Sequence, residues 1–100
     1  MRLGSTPKHE FALPFDVSLV KEFKVTYKQK GKIILEKYLD DFVIDGNTLS
    51  VTLTQEETFL FAGDVNVELQ ARVLTMGGDA LSSDIRIIPA ERCLDREVLE

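Results

Sequence analysis

The sequence has one cysteine, one histidine and no tryptophan, and these shortages exclude several classes of function. A lone Cys93 cannot form an internal disulfide, so we expect folding without an oxidising compartment and synthesis in a reducing cytoplasm. One thiol and one imidazole are too few for a structural zinc site, which usually has four such ligands. A chain of 100 residues can bury enough surface to fold without a metal, and we expect no cofactor.

Long apolar runs are also missing. No window approaches the ~18 residues that a membrane-spanning helix needs. The opening residues 1–15 resemble no export signal, because Lys8, His9 and Glu10 interrupt them. A net charge of -5 argues against general nucleic-acid binding, since duplexes attract proteins through cationic patches. We therefore expect neither a membrane nor a nucleic acid as a partner.

Any catalytic interpretation depends on His9. A Ser-His-acid set needs an imidazole beside a nucleophile on a rigid turn, and no serine here lies in a nucleophile-elbow pattern. Pairing of Cys93 with His9 would require a lowered thiol pKa and a group that orients the imidazole, and nothing in the sequence demands either. We predict no catalytic residue and therefore no enzyme.

Two acidic clusters and one glycine pair are candidates for a calcium site and a phosphate site. The acidic clusters are Asp40-Asp41 with Asp45, and Glu56-Glu57. Neither has the alternating ligand spacing of a calcium loop, so we interpret them as solvated turn acids and helix-start charges. Gly77-Gly78 lies between two predicted strands with no helix after it, which favours a hairpin over a phosphate site. We predict no metal-binding and no cofactor-binding residue.

Strand patterns of period two recur along most of the chain. They cover 10–13, 21–28, 32–38, 42–44, 48–53, 65–73 and 81–87. With 44% hydrophobic and 29% charged residues, a chain of this length suits one compact domain, 1–100. We predict an all-β fold, an immunoglobulin-like β-sandwich of about seven antiparallel strands.

Two short helical segments are expected between the strands. Thr54 and Glu57 form a capping-box pattern, which predicts one helical turn near Gln55–Phe61 that carries Phe59 and Leu60 toward the core. Residues 16–20 are predicted to be a turn or short helical link.

The last predicted strand is expected to alternate strictly between core and solvent. Its inward residues would be Leu81, Ser83, Ile85 and Ile87, and its outward residues Ser82, Asp84 and Arg86. Pro89 should close it, since proline cannot donate to a strand ladder.

The two ends of the chain, about 1–8 and 90–100, are predicted to be arms outside the sandwich. Residues 90–100 could form a helical turn or an extended arm packed on this domain or on a neighbour, and we favour the arm. Because such segments are free to touch partners, they supply the candidate contact residues Arg2, Lys8, Arg92, Leu94 and Leu99.

Lysines concentrate on one predicted hairpin of this acidic chain. They are Lys21, Lys24, Lys28, Lys30, Lys32 and Lys37. Lys24, Lys28, Lys30 and Lys32 form a candidate interaction patch for an acidic partner or an anionic glycan. The alternative, which we favour, is that outward lysines protect a sheet edge from aggregation.

Several segments of the chain, taken together, carry a resemblance to a known family. They are Arg2-Leu3-Gly4-Ser5-Thr6-Pro7, Phe11-Ala12-Leu13-Pro14-Phe15, Val25-Thr26-Tyr27-Lys28-Gln29, Leu53-Thr54-Gln55-Glu56-Glu57-Thr58, Gln70-Ala71-Arg72-Val73, Ala80-Leu81-Ser82-Ser83-Asp84-Ile85 and Arg92-Cys93-Leu94-Asp95. They resemble a family of small uncharacterised proteins encoded in prophages of Gram-positive bacteria, commonly Firmicutes of the gut, among genes for virion parts. The resemblance implies a small β-sandwich made in the bacterial cytoplasm, and it carries no established activity or functional residues.

The leading hypothesis is a non-enzymatic phage structural or accessory protein, made in the cytoplasm and then part of the virion. It would pack against copies of itself or other virion proteins through strand edges and the terminal arms. The alternative is a host-surface or carbohydrate-binding module. Sugar sites need aromatic faces beside polar groups, and most of the eight aromatic residues are needed by the core. Two outward aromatic side chains bordering one groove would favour the alternative.

Overall fold

Two antiparallel sheets form the molecule in a computed structural model that describes residues 1–100. The strands are β1 (Lys8–Ala12), β2 (Val20–Gln29), β3 (Lys32–Tyr38), β4 (Val43–Asp45), β5 (Thr48–Thr52), β6 (Val67–Thr75), β7 (Ala80–Ser82) and β8 (Arg86–Ile88). The smaller sheet has the order β1-β5-β4. The larger has the order β3-β2-β6, and both β7 and β8 pair with β6. The predicted all-β class is confirmed, with eight strands where about seven were expected.

Helical structure is confined to one four-residue helix, α1 (Gln55–Thr58), and two 3₁₀ turns, Val17–Leu19 and Leu39–Asp41. None of these helices has the length and apolar character needed to cross a membrane. The predicted capping box is confirmed. The Thr54 hydroxyl accepts from the Glu57 amide at 3.1 Å, and the Glu57 carboxylate accepts from the Thr54 amide at 2.9 Å.

The aromatic residue that enters the core after α1 is Phe61, whereas the sequence predicted Phe59 and Leu60. Leu60 is 57% exposed and Phe59 is half-buried, whereas Phe61 is buried. The chain after the helix continues with i to i+3 bonds, including one from the Phe61 amide to the Thr58 carbonyl. Side chains three residues apart lie on the same side of such a turn, so Phe61 follows the fully buried Thr58 inward.

Alternation along β2 and β6 builds the centre of the core. The buried side chains are Phe23, Val25 and Tyr27 on β2, and Val67, Leu69, Ala71 and Val73 on β6. An aromatic cluster joins the two sheets. The Phe23 ring meets the Phe42 ring edge to face at 4.9 Å between centroids, and Phe11 of β1 lies 6.1 Å from both.

The return strand is broken in two by a bulge. Its register pairs Ser82 with Arg72, and Arg86 with Leu69. Between these pairs the β6 strand has residues 70–71, whereas the return strand has residues 83–85. One extra residue reverses which side chains face the core, because successive residues of a strand point to opposite faces.

This reversal contradicts the predicted faces of residues 81–87. Arg86 and Ile88 lie on the inner face, opposite Leu69 and Val67, and Ile85 and Ile87 point outward at 56% and 63% exposed. The other two predicted core residues are also exposed. Leu81 faces inward by register but lies on a three-residue edge strand, and Ser83 turns its hydroxyl to accept from the Ala71 amide.

The ends of the chain are packed on the sandwich, which corrects the prediction that 1–8 lies outside it. Residues 1–3 run parallel to 89–91, with the Glu91 amide donating to the Met1 carbonyl at 2.8 Å and the Leu3 amide donating to the Glu91 carbonyl at 2.9 Å. This pairing holds Leu3, 1% exposed, in the core. Lys8, also assigned to the arm, is the first residue of β1.

Candidate protein-binding surface

The predicted lysine patch is divided between two places. Lys24 and Lys28 lie on the outer face of the larger sheet, since they alternate with buried β2 residues. Lys30 lies in the β2–β3 turn, where it and Gly31 adopt φ of 50° and 76°, and Lys32 begins β3. Two successive residues with positive φ match a tight hairpin turn. The structure therefore brings Lys24 and Lys28 together and leaves Lys30 and Lys32 at the hairpin end.

Lys24 is neutralised within the chain. Its ammonium lies 2.5 Å from a Glu36 carboxylate oxygen and 5.7 Å from the centre of the Tyr38 ring. The hydrogen bond to Glu36 is the main cause that raises the pKa of Lys24. Lys24 therefore offers a partner less attraction than an unpaired lysine on the same face.

Lys37, another lysine of the hairpin, ties the larger sheet to α1. Its ammonium pairs with Glu57, and both side chains are largely covered. Burial acts to raise the pKa of Glu57, but the hydrogen bonds from Lys37 and from the Thr54 amide outweigh it and hold that pKa below its ordinary value. This lysine stabilises the fold and is not part of an open patch.

Lys28 belongs to a row of four side chains that crosses the outer face. The register places Ile33 of β3 beside Lys28, Glu68 of β6 on its other side, and Ile87 of β8 beyond Glu68. We call Ile33, Lys28, Glu68 and Ile87 the outer row. All four are exposed, and neither Lys28 nor Glu68 takes part in an ion pair.

A shallow depression of about 220 Å³ adjoins the outer row. Its side-chain lining comes from Thr26, Lys28, Glu68, Gln70 and Ile85. Ile85 is there because of the bulge at 83–85, which turned it away from the core. The sequence pattern missed Ile85 and Ile87 as surface residues, although Ser82-Ser83-Asp84 is a cluster of turn-forming residues that could have indicated the break.

The amino-terminal contact candidate Arg2 is engaged by the chain itself. Its guanidinium lies 2.8 Å from the Glu91 carboxylate and donates to the Arg92 carbonyl at 3.0 Å. Arg92 lies 3.9 Å from Asp64, and both of these side chains are exposed. Arg2 and Arg92 are thus brought together, whereas Lys8 lies on β1 and pairs with Glu10.

Residues 90–100 form no helix, and the tail lies along α1. The Gln55 side-chain amide donates to the Leu99 carbonyl and accepts from the Leu99 amide, both at 2.9 Å. Arg96 covers the Phe59 ring at 4.9 Å and donates to the Phe59 carbonyl. Leu94 is 96% exposed and Leu99 is also exposed, so these two candidates are accessible.

Gly4 provides a test of how the amino-terminal segment docks on α1. Its amide donates to the buried Thr58 hydroxyl at 2.8 Å, its φ is +83°, and a Cβ there would lie 2.9 Å from the Phe59 ring. Gly4→Ala is expected to lower the free energy of unfolding by about 2 kcal/mol or more, because left-handed strain of about 1–2 kcal/mol adds to the clash.

Gly46→Ala is the matched control, since Gly46 has φ +62° with open space around it. Its loss in the free energy of unfolding should reflect the left-handed backbone strain alone. Urea unfolding of both variants measures the difference, and equal losses would show that Gly4 does not pack against Phe59.

His9 is held by a tyrosine. Its Nδ1 lies 2.8 Å from the hydroxyl of Tyr27, which is fully buried. Burial, followed by the charge of Arg86, lowers the pKa of His9 from its ordinary 6.5. Burial likewise raises the pKa of Tyr27, so the phenol stays protonated and can donate to the neutral imidazole. This arrangement gives His9 a structural partner.

The lowered pKa of His9 predicts a dependence of stability on pH. As pH falls below the ordinary value of 6.5, the unfolded chain binds the proton before the folded chain does. The free energy of unfolding should therefore fall between about pH 7 and 5. His9→Gln should reduce this slope in urea unfolding followed across that range, and an unchanged slope would contradict the assignment.

Further grooves lie elsewhere on the molecule. One of about 400 Å³ opens between the sheets beside the bulge, where the Arg86 guanidinium lies 4.9 Å from the centre of the Phe11 ring. Another, of about 480 Å³ at one end of the sandwich, has the exposed side chains of Leu19, Met76 and Leu81 in its wall. Neither gathers more than two ionisable side chains.

The third groove, of about 430 Å³, bears on the carbohydrate alternative. It contains Tyr38, which is exposed, beside Lys21, Lys24 and Asp40. Phe23, the second aromatic residue in its wall, is buried in the core. The requirement for two outward aromatic side chains bordering one groove is not met.

Comparisons with known proteins give little beyond a distant structural likeness. No protein-family model matches the chain. No curated protein matches it either. Among solved structures, the V domain of amphioxus IgVJ-C2 is similar over 90% of this chain and 96% of its own, with 10% identity and a TM-score of 0.36. At that TM-score the likeness says nothing about this chain's function.

Proposed function

We propose that this protein acts by binding other proteins, without catalysis, as a structural or accessory component of a phage or prophage virion. The observation that carries the proposal is the outer face of the larger sheet. Ile33, Ile85 and Ile87 are exposed on it although they belong to ordered strands or to the bulge between them. Ile33 and Ile87 lie at the two ends of the outer row and Ile85 lines the adjoining depression. Exposed apolar side chains bordered by polar residues on one face are typical of interaction surfaces.

The geometry also supports contact through strand edges. β3 is seven residues long and lies at one edge of the larger sheet, and β1 and β4 are the edges of the smaller sheet. An edge strand can pair with a strand of a partner, since its backbone groups supply affinity and its alternate side chains fix the register. The exposed Leu94 and Leu99 of the tail add further contact points.

The viral assignment is supported by the resemblance of this chain to prophage-encoded proteins. Its most specific parts are the opening residues 2–7 and the segment Thr54-Gln55-Glu56-Glu57. The latter forms the capped α1 turn, an architectural feature with no catalytic group. Synthesis in the bacterial cytoplasm and later incorporation into a particle is the course we propose.

Fractionation of induced cultures tests this function. A bacterium carrying the gene is induced to release phage, the particles are purified on a density gradient, and the protein is quantified against a major capsid protein by mass spectrometry. We expect it in the particle fraction at a constant ratio. A host metabolic enzyme serves as the control for carry-over, and a protein that stays with that enzyme would contradict the proposal.

A further inference from the structure

We propose that the outer row is a self-complementary surface on which a second copy of this chain binds face to face. This inference rests on the proposed function and names one of its partners. Across the sheet, the row has an apolar side chain at each end, Ile33 and Ile87, with the positive Lys28 beside Ile33 and the negative Glu68 beside Ile87. A row of that order is complementary to itself when it is rotated by half a turn.

The strand register specifies which side chains meet. A two-fold axis that runs parallel to the strands, midway between β2 and β6, places the β2 of one copy over the β6 of the other. Lys28 then lies opposite Glu68 of the second copy, and Ile33 lies opposite Ile87 of the second copy. Each contact occurs twice, as an isologous interface requires.

The charges of the row are available for such a contact. Lys28 and Glu68 are neighbours in register, yet neither forms an ion pair within the chain. The two isoleucines are 50% and 63% exposed, so covering them removes apolar surface from water. A second copy would satisfy both charges and cover both apolar ends at once.

The neighbouring rows tolerate the same rotation. Thr26 pairs in register with Gln70, so the centre of the next row meets its copy through neutral polar side chains, and the Glu36 carboxylate beside Thr26 is paired with Lys24. One row further, Lys24 would lie opposite Arg72 of the second copy, but Glu36 already neutralises Lys24 at 2.5 Å. The Glu36 carboxylate would then lie near the approaching Arg72 and reduce the repulsion.

Charge reversal in two separate variants tests the interface. Sedimentation equilibrium of the purified full chain should show a dimer for the native protein. Lys28→Glu places a carboxylate opposite Glu68 of the other copy at both contacts, and Glu68→Lys places an ammonium opposite Lys28 at both contacts. Like charges facing each other are costly, so each variant alone should dimerise at least about tenfold more weakly.

Mixing the two variants in equal amounts separates the interface from any effect on folding. In the mixed dimer, the Lys28→Glu copy has carboxylates at both positions and the Glu68→Lys copy has ammonium groups at both, so both contacts become attractive again. We expect the mixture to recover dimerisation near the native level. Lys30→Glu, which makes the same charge change in the turn, should leave the native dimer unchanged.

Two results would overturn the inference. One is a native protein that stays monomeric at every concentration tested, and the other is a mixture that dimerises no better than its components. Either result leaves the particle-fraction experiment untouched, because that experiment does not require self-association. A protein that dimerises as expected but never enters particles would retain this surface and lose the viral function.

Discussion

Replacing Phe23 with alanine is expected to lower the free energy of unfolding by about 3–5 kcal/mol. The Phe23 ring is buried and contacts the rings of Phe11 and Phe42, so its removal opens a cavity where the two sheets meet. Domains of this size are usually stable by roughly 5–15 kcal/mol. The variant should therefore lose a large share of its stability in urea unfolding at neutral pH.

Tyr38→Ala is the matched aromatic control for this prediction. Tyr38 is exposed at the edge of the same sheet, where the centre of its ring lies 5.7 Å from the Lys24 ammonium. Its truncation should cost about 1 kcal/mol or less. If both variants lost the same stability, the aromatic cluster would not be the centre of the core.

Gln29→Leu should lower the free energy of unfolding by about 3 kcal/mol or more, because it removes all three hydrogen bonds of a buried side chain. The Gln29 side chain donates to the carbonyls of Ala62 and Val65 at 2.8 and 3.1 Å, and accepts from the Ala62 amide at 2.8 Å. It thereby clamps residues 62–65, which connect α1 to β6. Each buried polar group left without a partner costs about 1–3 kcal/mol.

Gln70→Leu provides the comparison. Gln70 lies on the outer face and its side chain donates one bond, to the Ser83 carbonyl at 2.9 Å. We expect a loss of about 1 kcal/mol or less. Hydrogen exchange should also show faster exchange of the Ala62 amide in Gln29→Leu alone. An Ala62 amide that exchanges equally in both variants would contradict the clamp.

The features that depend on neighbouring residues were predicted well from the sequence. β3 has the predicted bounds, and β2 extends the predicted strand by one residue at each end. The Thr54–Glu57 capping box depends on residues three apart, so it too can be recognised without knowledge of the fold. Period-two alternation likewise placed Lys24 and Lys28 on the outward face of β2.

The features that failed depend on pairing between distant segments. Residues 81–87 alternate in sequence, but the bulge is fixed by Ser83, whose hydroxyl accepts from the Ala71 amide and whose own amide donates to the Ala71 carbonyl. Leu3 gave no periodic signal, and its burial follows from pairing with residues 89–91. Neither contact can be derived from the pattern of one strand.

The candidate site was predictable only in part for the same reason. Alternation predicts that Lys28 points outward, but it does not specify that Glu68 is the cross-strand neighbour, or that Ile33 and Ile87 end the row. Those positions follow from the register of four strands. The neutralisation of Lys24 by Glu36 also requires the β2–β3 pairing.

Nuclear Overhauser contacts between aromatic rings would test the two-sheet arrangement most directly, because every surface described above depends on it. In a spectrum of the purified protein, the ring protons of Phe23 on the larger sheet should show contacts with those of Phe42 and Phe11, since the ring centres lie 4.9 and 6.1 Å away. We expect both contacts. A spectrum in which Phe23 shows contacts only with residues of its own sheet would contradict the shared core and, with it, the outward face of β2, β6 and β8.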